Sequence, residues 1–155
     1  MLTNEDIREL TSVRRELHRT PELSGEEVET ARTICGALTE LAPDEVISGV
    51  GGHGVAAVYD SGTDGPTVLF RAELDALPIE EASGADWSSE IPGKAHLCGH
   101  DGHMTMLLAL ARLLSRRRPQ TGRCVLMFQP AEEDGSGARA VVADPKFRNI
   151  RPDWA

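Results

Sequence analysis

Residues 104–129 read MTMLLALARLLSRRRPQTGRCVLMFQ, and this stretch decides the fold class. Its first half has apolar residues at helical spacing and predicts a helix over about 103–118. Its second half contains CVLMF at 124–128, a continuous apolar run that indicates a buried strand. Another strand is predicted at 67–71, so strands and helices alternate in this part of the chain. That alternation favours an α/β fold with at least one parallel crossover.

The flanking sequence extends this pattern without a linker or an internal repeat. Ser24 and Glu27 match a capping box, which predicts that a second helix begins at Ser24. The stretch 72–102 has little periodicity and is long for a connection, which favours a functional loop. The remaining predicted elements are helices over 4–19 and 136–143 and strands over 45–48 and 54–60.

Charge and composition argue against several classes of protein. The chain has 155 residues, about the size of one domain, with 16 basic residues, 25 acidic residues and a formal net charge of −9. A nucleic-acid-binding protein is expected to carry a basic field, so no nucleic-acid partner is predicted, and the arginines at 116–118 are interpreted as a solvated helix end. No run approaches the roughly 18 apolar residues of a membrane span, so no membrane partner is predicted. Three cysteines and the lack of a recognisable secretory signal predict a cytoplasmic location.

The segment GVGGHG at 49–54 matches the dinucleotide-binding pattern G-x-G-x-x-G. That pattern needs a helix after its last glycine, where the pyrophosphate binds, whereas VAAVY at 55–59 predicts a strand. We therefore interpret the segment as a hairpin turn that glycines permit, with His53 as a turn residue. Nucleotide binding is the less favoured alternative.

The segment HLCGHDGH at 96–103 contains three histidines, one cysteine and one aspartate directly before the predicted helix. Cys98 and His100 are two residues apart, so in an extended segment their side chains point to the same side. Thiolate and imidazole together suit zinc and neighbouring first-row metals. The alternative is a helix cap, with Asp101 as the N-cap and the histidines as satisfied polar residues.

Two acidic segments follow predicted strands. QPAEED at 129–134 comes directly after the buried strand, and RAELDALP at 71–78 ends another strand with two carboxylates two residues apart. Open α/β sheets place their sites at the carboxyl ends of strands. Adjacent glutamates point in different directions, so one can bind a metal while the other acts as a base, as metal-assisted hydrolysis requires. Either acidic segment alone is equally well explained as structural.

Together these motifs resemble the aminoacylase/carboxypeptidase-type metallopeptidase superfamily, in particular its branch of N-acyl-amino-acid amidohydrolases, hippurate hydrolases and auxin-conjugate hydrolases. The resemblance covers essentially the whole chain, and its segments occur in family order. It implies a three-layer α/β catalytic domain with a mixed, largely parallel sheet between helices, of which residues 1–155 form the N-terminal portion. The matching segments are RELHRTPELS at 15–24, RAELDALPI at 71–79, HLCGHDGH at 96–103 and FQPAEE at 128–133.

The resemblance also implies a site for two divalent metal ions, among Zn, Mn, Co or Ni. Cys98, His100 and Glu133 are the implied metal ligands. Glu132 is the implied general base for the attacking water. Asp75 matches the family's aspartate in the loop after the strand, and we place it directly behind the ligands. The implied reaction is cleavage of the amide bond of an N-acyl amino acid, a small-molecule substrate.

The chain also departs from the family. Glu73 stands where an aspartate is expected, and Leu97 stands where alanine is usual. The family's later histidine ligands and its inserted dimerisation domain have no counterpart here. We therefore expect a truncated hydrolase that is inactive alone, binds one ion weakly and tends to associate. For complete family members the resemblance implies homo-oligomers. The alternatives are a metal-binding or interaction module that needs a complementing chain and, less favoured, thiol chemistry at Cys98.

Overall fold

The computed structural model describes all residues from 1 to 155. Each of the eight helices and strands predicted from the sequence is present. In chain order they are α1 (Asn4–Arg19), α2 (Val28–Thr39), β1 (Glu45–Val50), β2 (Gly54–Asp60), β3 (Thr67–Glu73), α3 (His100–Arg116), β4 (Arg123–Gln129) and α4 (Gly137–Ala143), followed by a 3₁₀ helix at Pro145–Ile150.

The four strands form one mixed sheet in the order β1-β2-β4-β3. β3 and β4 are parallel and are joined through α3, which confirms the predicted crossover. β2 is antiparallel to both β1 and β4. The prediction of a largely parallel sheet is therefore wrong for this chain, since two of its three strand pairs are antiparallel. The short turn between β1 and β2 permits only antiparallel pairing, because a parallel pair needs a longer crossover.

Helices cover both faces of the sheet, which confirms the three-layer α/β architecture. On one face α2 and α3 pack against the sheet and α1 packs against α3, and one apolar cluster contains Leu10, Ile34 and Leu108 of these helices. On the other face Val141 of α4 and Ile150 of the 3₁₀ helix cover a second, smaller apolar cluster. β4 lies between these layers with six of its seven residues buried, which explains the apolar run at 124–128. No helix in the structure has both the length and the apolar character needed to span a membrane.

The start of α2 differs from the prediction. The helix begins at Val28 rather than at Ser24, and no side chain at the preceding Glu27 caps it. The Glu22 carboxylate instead accepts hydrogen bonds from backbone N–H groups in the first turn, at 2.8 Å for Thr30. The predicted capping box is therefore absent, and its two side chains are free to bond elsewhere.

The start of α3 also differs from the prediction. The helix begins at His100, about one turn earlier than predicted, directly after Gly99 in the left-handed conformation at φ 93°. Asp101 therefore lies inside the first turn, and the alternative in which it is the N-cap is wrong. Because the helix begins within the HLCGHDGH segment, His100 and His103 lie one turn apart on it.

The glycine-rich segment at 49–54 forms the turn of the β1–β2 hairpin, as predicted. Gly51 has a φ of 63°, and a Cβ added to it would lie 2.5 Å from the backbone nitrogen of Val141, so α4 passes close to this turn. β2 begins at the last glycine, and a helix for a pyrophosphate is therefore absent. His53 is a partly buried turn residue whose Nε2 lies 3.2 Å from the carbonyl oxygen of Gly25.

The arginines at 116–118 lie at the end of α3, as predicted. Arg116 donates hydrogen bonds to both carboxylate oxygens of Asp6 in α1. Arg118 lies over the ring of Tyr59 and 3.4 Å from a carboxylate oxygen of Asp44. Arg116 therefore connects α3 to α1, and Arg118 connects the end of α3 to β2.

Candidate metal centre

The candidate site lies where the parallel strands β3 and β4 both end. β3 ends at Glu73, two residues before Asp75, and β4 ends at Gln129, three residues before Glu132. The carboxyl ends of parallel strands meet at one edge of a sheet. α3 begins at the same edge with His100, whose Nδ1 lies 2.7 Å from the carbonyl oxygen of Asp75. The topology therefore brings together the two acidic segments and the HLCGHDGH segment.

Three potential ligands meet at this edge. The sulfur of Cys98, a ring nitrogen of His100 and a carboxylate oxygen of Glu133 all lie within 4.8 Å of one another. His100 is buried, Glu133 is partly buried and Cys98 is exposed, so the cluster opens to solvent at the cysteine. The structure thus places the three predicted ligands together, while their binding of a metal stays a prediction.

The backbone of Asp75 orients His100. A carbonyl oxygen only accepts hydrogen bonds, so Nδ1 of His100 donates to the Asp75 carbonyl and Nε2 faces the cluster. Nε2 lies 3.7 Å from Glu132 Oε2 and 3.7 Å from Glu133 Oε1. Histidines that bind metals commonly have the second ring nitrogen fixed by a partner of this kind.

The Asp75 side chain is fully buried and contacts two of the three predicted ligands. Its Oδ2 accepts hydrogen bonds from the Ser24 hydroxyl at 2.7 Å and from the backbone N–H of Glu133 at 2.9 Å. Its Oδ1 lies 3.6 Å from Nδ1 of His100. Burial alone would raise the pKa of Asp75, but His100 and these hydrogen bonds hold it well below the usual range. Asp75 is therefore an ionised group that contacts both His100 and Glu133.

Carboxylates dominate the electrostatics of the cluster. Burial favours a low pKa for His100, but hydrogen bonding to Asp75 and the nearby charge of Glu73 raise that pKa to about 9. The adjacent Glu133 carboxylate, burial and the other surrounding carboxylates raise the pKa of the Cys98 thiol. Both groups therefore retain protons in a negative field. A divalent cation would satisfy the same field and displace these protons, as metal binding to thiol and imidazole requires.

A buried carboxylate oxygen of Glu133 without a hydrogen-bond partner is also consistent with a bound cation. Oε1 of Glu133 is buried and has no hydrogen-bond partner. Buried polar atoms in proteins are nearly always paired, so an isolated one calls for an explanation such as an ion. The donor types, thiolate, imidazole and carboxylate, suit zinc and its first-row neighbours. The residues present therefore fit a metal ion held by Cys98, His100 and Glu133.

Glu132 and Glu133 differ in their exposure. The Glu132 side chain is 37% exposed, whereas that of Glu133 is 20% exposed. Oε2 of Glu132 is nevertheless only 3.7 Å from Nε2 of His100. Glu132 therefore borders the cluster on a side that solvent reaches.

A second group of donors adjoins the first and was left unassigned by the sequence. Donor atoms of Glu73, His100 and His103 also lie within 4.8 Å of one another. Oε2 of Glu73 is 2.9 Å from His103 Nδ1, and the other Glu73 oxygen accepts a hydrogen bond from Arg71 at 2.7 Å. Two spacings in the sequence signal this group, because His103 lies one helical turn after His100 and Glu73 lies two residues before Asp75.

Asp101 and His96 do not join either group of donors. Oδ2 of Asp101 is 2.8 Å from Nδ1 of His18 and 2.7 Å from Nε of Arg14, so it connects α3 to α1. Both carboxylate oxygens of Glu81 lie 3.2 Å from Nε2 of His18. His96 is buried without a hydrogen-bond partner on either ring nitrogen, and burial lowers its pKa to about 4.

Known proteins are similar to this chain in sequence and in fold. The model of peptidase family M20/M25/M40 matches residues 69–155, which is more than half of the chain. The chain is 40% identical over 142 residues to IAA-amino acid hydrolase ILR1-like 5 of Arabidopsis thaliana, covering 91% of this chain and 32% of that protein. It is 40% identical over 148 residues to N-acetyl-L-cysteine deacetylase of Bacillus subtilis, covering 92% of this chain and 34% of that protein. The chain thus spans about a third of the length of these relatives.

A solved structure also matches closely. The Bacillus subtilis YXEP protein, described as a dinuclear metal binding peptidase from the M20 family, superimposes with a TM-score of 0.86 at 38% sequence identity. The match covers 91% of this chain and 40% of that protein. The mixed sheet between helices is therefore part of a fold found in that peptidase.

Proposed function

This chain belongs to peptidase family M20/M25/M40, and from that premise we propose that residues 1–155 are the N-terminal part of the catalytic domain of a metal-dependent amidohydrolase. The observation that carries the proposal is the meeting of Cys98, His100 and Glu133 beside Glu132. The names of two relatives support the reaction class, since one hydrolyses IAA-amino acids and the other deacetylates N-acetyl-L-cysteine. The substrate class we propose is therefore N-acyl amino acids.

The ligands in this chain suffice for one ion. Cys98, His100 and Glu133 would hold it, and their donor types suit Zn, Mn, Co or Ni. Glu73 and His103 do not form an independent site, because their group shares His100 with the group of Cys98 and Glu133. Nδ1 of His100 is bonded to a carbonyl oxygen, so only Nε2 is available to either group. The similar solved structure is described as dinuclear, so a second ion would need ligands from outside this chain.

The chemistry follows from the positions of three side chains. A bound metal supplies Lewis acidity, which polarises an amide carbonyl and makes water more acidic. Glu132 lies where it can take a proton from the attacking water and pass that proton to the leaving amine nitrogen. Water thereby adds to the carbonyl carbon, the C–N bond breaks, and a carboxylic acid and an amino acid are released. Asp75 keeps His100 and Glu133 in place as the charge in the site changes.

We also propose a cytoplasmic location. Cys35, Cys98 and Cys124 are all free. Free thiols persist in reducing compartments, and a cysteine ligand must be reduced to bind a metal.

A metal-binding module without catalysis is the second candidate, favoured by the dependence of both donor groups on one histidine, His100.

The two candidates are distinguished by a hybrid protein, in which residues 1–155 replace the matching part of the Bacillus subtilis deacetylase and are joined to its remaining two-thirds. An amidohydrolase predicts metal-dependent release of acetate from N-acetyl amino acids by this hybrid. It also predicts a roughly 10²–10⁴-fold loss of rate in its Glu132→Gln variant. A hybrid that is folded and binds metal but has no turnover contradicts the amidohydrolase proposal.

A further inference from the structure

Glu27 is a buried carboxylate whose contact lies far along the chain. Its side chain is fully buried, and it does not cap α2. Oε1 of Glu27 instead accepts a hydrogen bond from the backbone N–H of Ala131 at 2.7 Å, 104 residues away. Oε2 of Glu27 is buried without a partner. A buried carboxylate with a single hydrogen bond is costly to keep, which favours a functional reason for it.

The residue that Glu27 holds is in an unfavourable conformation. Ala131 has a φ of 48°, in the left-handed region, one of two non-glycine residues in the chain with positive φ. Its carbonyl oxygen accepts a hydrogen bond from Gly137 at 2.8 Å, so both polar groups of the residue are bonded. A Cβ added to Gly137 would lie only 1.6 Å from the carbonyl oxygen of Pro130, so only glycine permits this approach. The surrounding structure therefore imposes the left-handed turn on Ala131.

A second buried carboxylate holds the other end of the same turn. Asp75 accepts the backbone N–H of Glu133 and the hydroxyl of Ser24. The turn at 130–133 is thus fixed at two peptide N–H groups by Glu27 and Asp75. Glu27 therefore bonds to this turn directly, and Ser24 is connected to it through Asp75. At the start of α2 the Glu22 carboxylate accepts the N–H of Thr30.

We propose that Glu27 is a positioning residue for the metal centre. By holding the Ala131 peptide in the left-handed conformation, it sets the directions in which Glu132 and Glu133 leave the end of β4. This inference rests on the proposed roles of Glu132 as base and Glu133 as ligand. Without the hydrogen bond, Ala131 relaxes toward negative φ, and Glu133 turns away from Cys98 and His100.

The test compares three substitutions of Glu27 in the 155-residue chain. Glu27→Gln retains an oxygen acceptor at the same distance, Glu27→Met retains the volume without an acceptor, and Glu27→Asp retains the charge on a side chain one methylene shorter. Co²⁺ binding is followed by the thiolate absorption of Cys98, whose intensity and position report the ligand geometry. We expect Glu27→Gln to resemble the unchanged chain, and Glu27→Met and Glu27→Asp to bind Co²⁺ about tenfold more weakly with an altered spectrum.

A rescue substitution separates positioning from stability. Glycine adopts the left-handed conformation without penalty, so Ala131→Gly added to Glu27→Met or Glu27→Asp is expected to recover part of the Co²⁺ affinity. Glu22→Met is the matched control, because it also removes a carboxylate that accepts backbone N–H groups in this segment. It is expected to lower the melting temperature and to leave the Co²⁺ spectrum unchanged. If Glu27→Met does not fold, Glu27→Asp with and without Ala131→Gly provides the same comparison.

The amide signal of Ala131 in ¹⁵N NMR gives a readout that does not depend on metal. A hydrogen bond to a buried carboxylate predicts a strongly downfield, slowly exchanging signal that persists in Glu27→Gln and is lost in Glu27→Met and Glu27→Asp. If the unchanged chain binds no Co²⁺, the proposed function fails while this signal still tests the positioning of Ala131. Parent-like Co²⁺ binding or an unchanged Ala131 signal in both Glu27→Met and Glu27→Asp would overturn the inference.

Discussion

At the scale of single residues, Glu132 and Glu133 show how adjacent identical side chains acquire different roles. Glu133 has a buried, unpartnered Oε1 beside Cys98 and His100, and its backbone is bonded to Asp75. Glu132 contacts His100 from a more exposed position. The first arrangement suits a ligand, and the second suits a base that exchanges protons with water.

Substituting each of these two glutamates by glutamine therefore gives different results. Glu133→Gln is expected to weaken Co²⁺ binding by at least about tenfold, because it replaces a charged donor by a neutral one. Glu132→Gln is expected to leave Co²⁺ affinity nearly unchanged. Titration of the purified 155-residue chain with Co²⁺ measures both, and each variant is the control for the other. The opposite order of affinities would exchange the two roles.

The three cysteines are predicted to differ in their response to metal. Cys98 is exposed and lies among the donors, so a bound ion is expected to protect it from alkylation and a chelator to restore the reaction. Burial raises the pKa of Cys35 and raises that of Cys124 to about 11, so both are expected to react slowly in either condition. Mass spectrometry after iodoacetamide treatment measures all three at once. Equal labelling of Cys98 with and without metal would remove it from the ligands.

At the scale of elements, Asp6 fastens α1 to the end of α3. Arg116, the Thr3 backbone N–H and Arg112 hold the pKa of Asp6 well below its usual range, although burial opposes them. A carboxylate whose pKa is lower in the folded state stabilises the fold above its ordinary pKa of about 4, and this stabilisation is lost as the pH falls through the lowered value.

Asp6→Asn is accordingly expected to lower the melting temperature at neutral pH, with a difference from the parent that shrinks as the pH falls below about 4. Thermal unfolding across the acid range measures this difference. Glu9→Gln is the control, since Glu9 contacts the same Arg112 but is half exposed, and exposed ion pairs contribute little. A difference between Asp6→Asn and the parent that is constant with pH would show that the charge of Asp6 is not its source.

Periodicity predicted which elements form, but not the side-chain contacts that join them. Apolar runs located the central strands β2 and β4, because almost every residue of these two strands is buried. The same local reasoning failed at α2, where Ser24 and Glu27 have the spacing of a capping box. Their partners, Asp75 and Ala131, are 51 and 104 residues away. Such contacts exist only after the sheet has brought the strand ends together, so no local pattern contains them.

The candidate site was more predictable than its surroundings. Cys98, His100 and Glu133 belong to segments that carry recognisable chemistry at predicted strand and helix ends, and the family resemblance selected these three residues within the segments. The relative directions of the strands were less predictable. β2 pairs antiparallel with β4, and these two strands are far apart in the sequence. The motif alone did not predict which of its residues join the donors, since Asp101 and His96 belong to it and join neither group.

At the scale of the whole molecule, one edge of the sheet is incompletely covered. β3 is the last strand in the sheet order, and beyond β4 it pairs only at Val68, through a bridge to Trp154. Phe70 on this strand, Met106 on α3 and Trp154 are 45%, 63% and 69% exposed. An open strand edge beside exposed apolar side chains favours pairing with another chain.

The open edge belongs to β3, the strand that ends at Glu73 beside the candidate metal centre. The isolated 155-residue chain is expected to bind at most one ion, because both donor groups need Nε2 of His100, and to associate as its concentration rises. Metal analysis and sedimentation on one preparation measure both properties. Phe70→Lys is expected to reduce association without changing the metal content, since a charge on an edge strand opposes pairing. Two tightly bound ions in a monomer would contradict the prediction, and they would require Glu73 and His103 to hold an ion without His100.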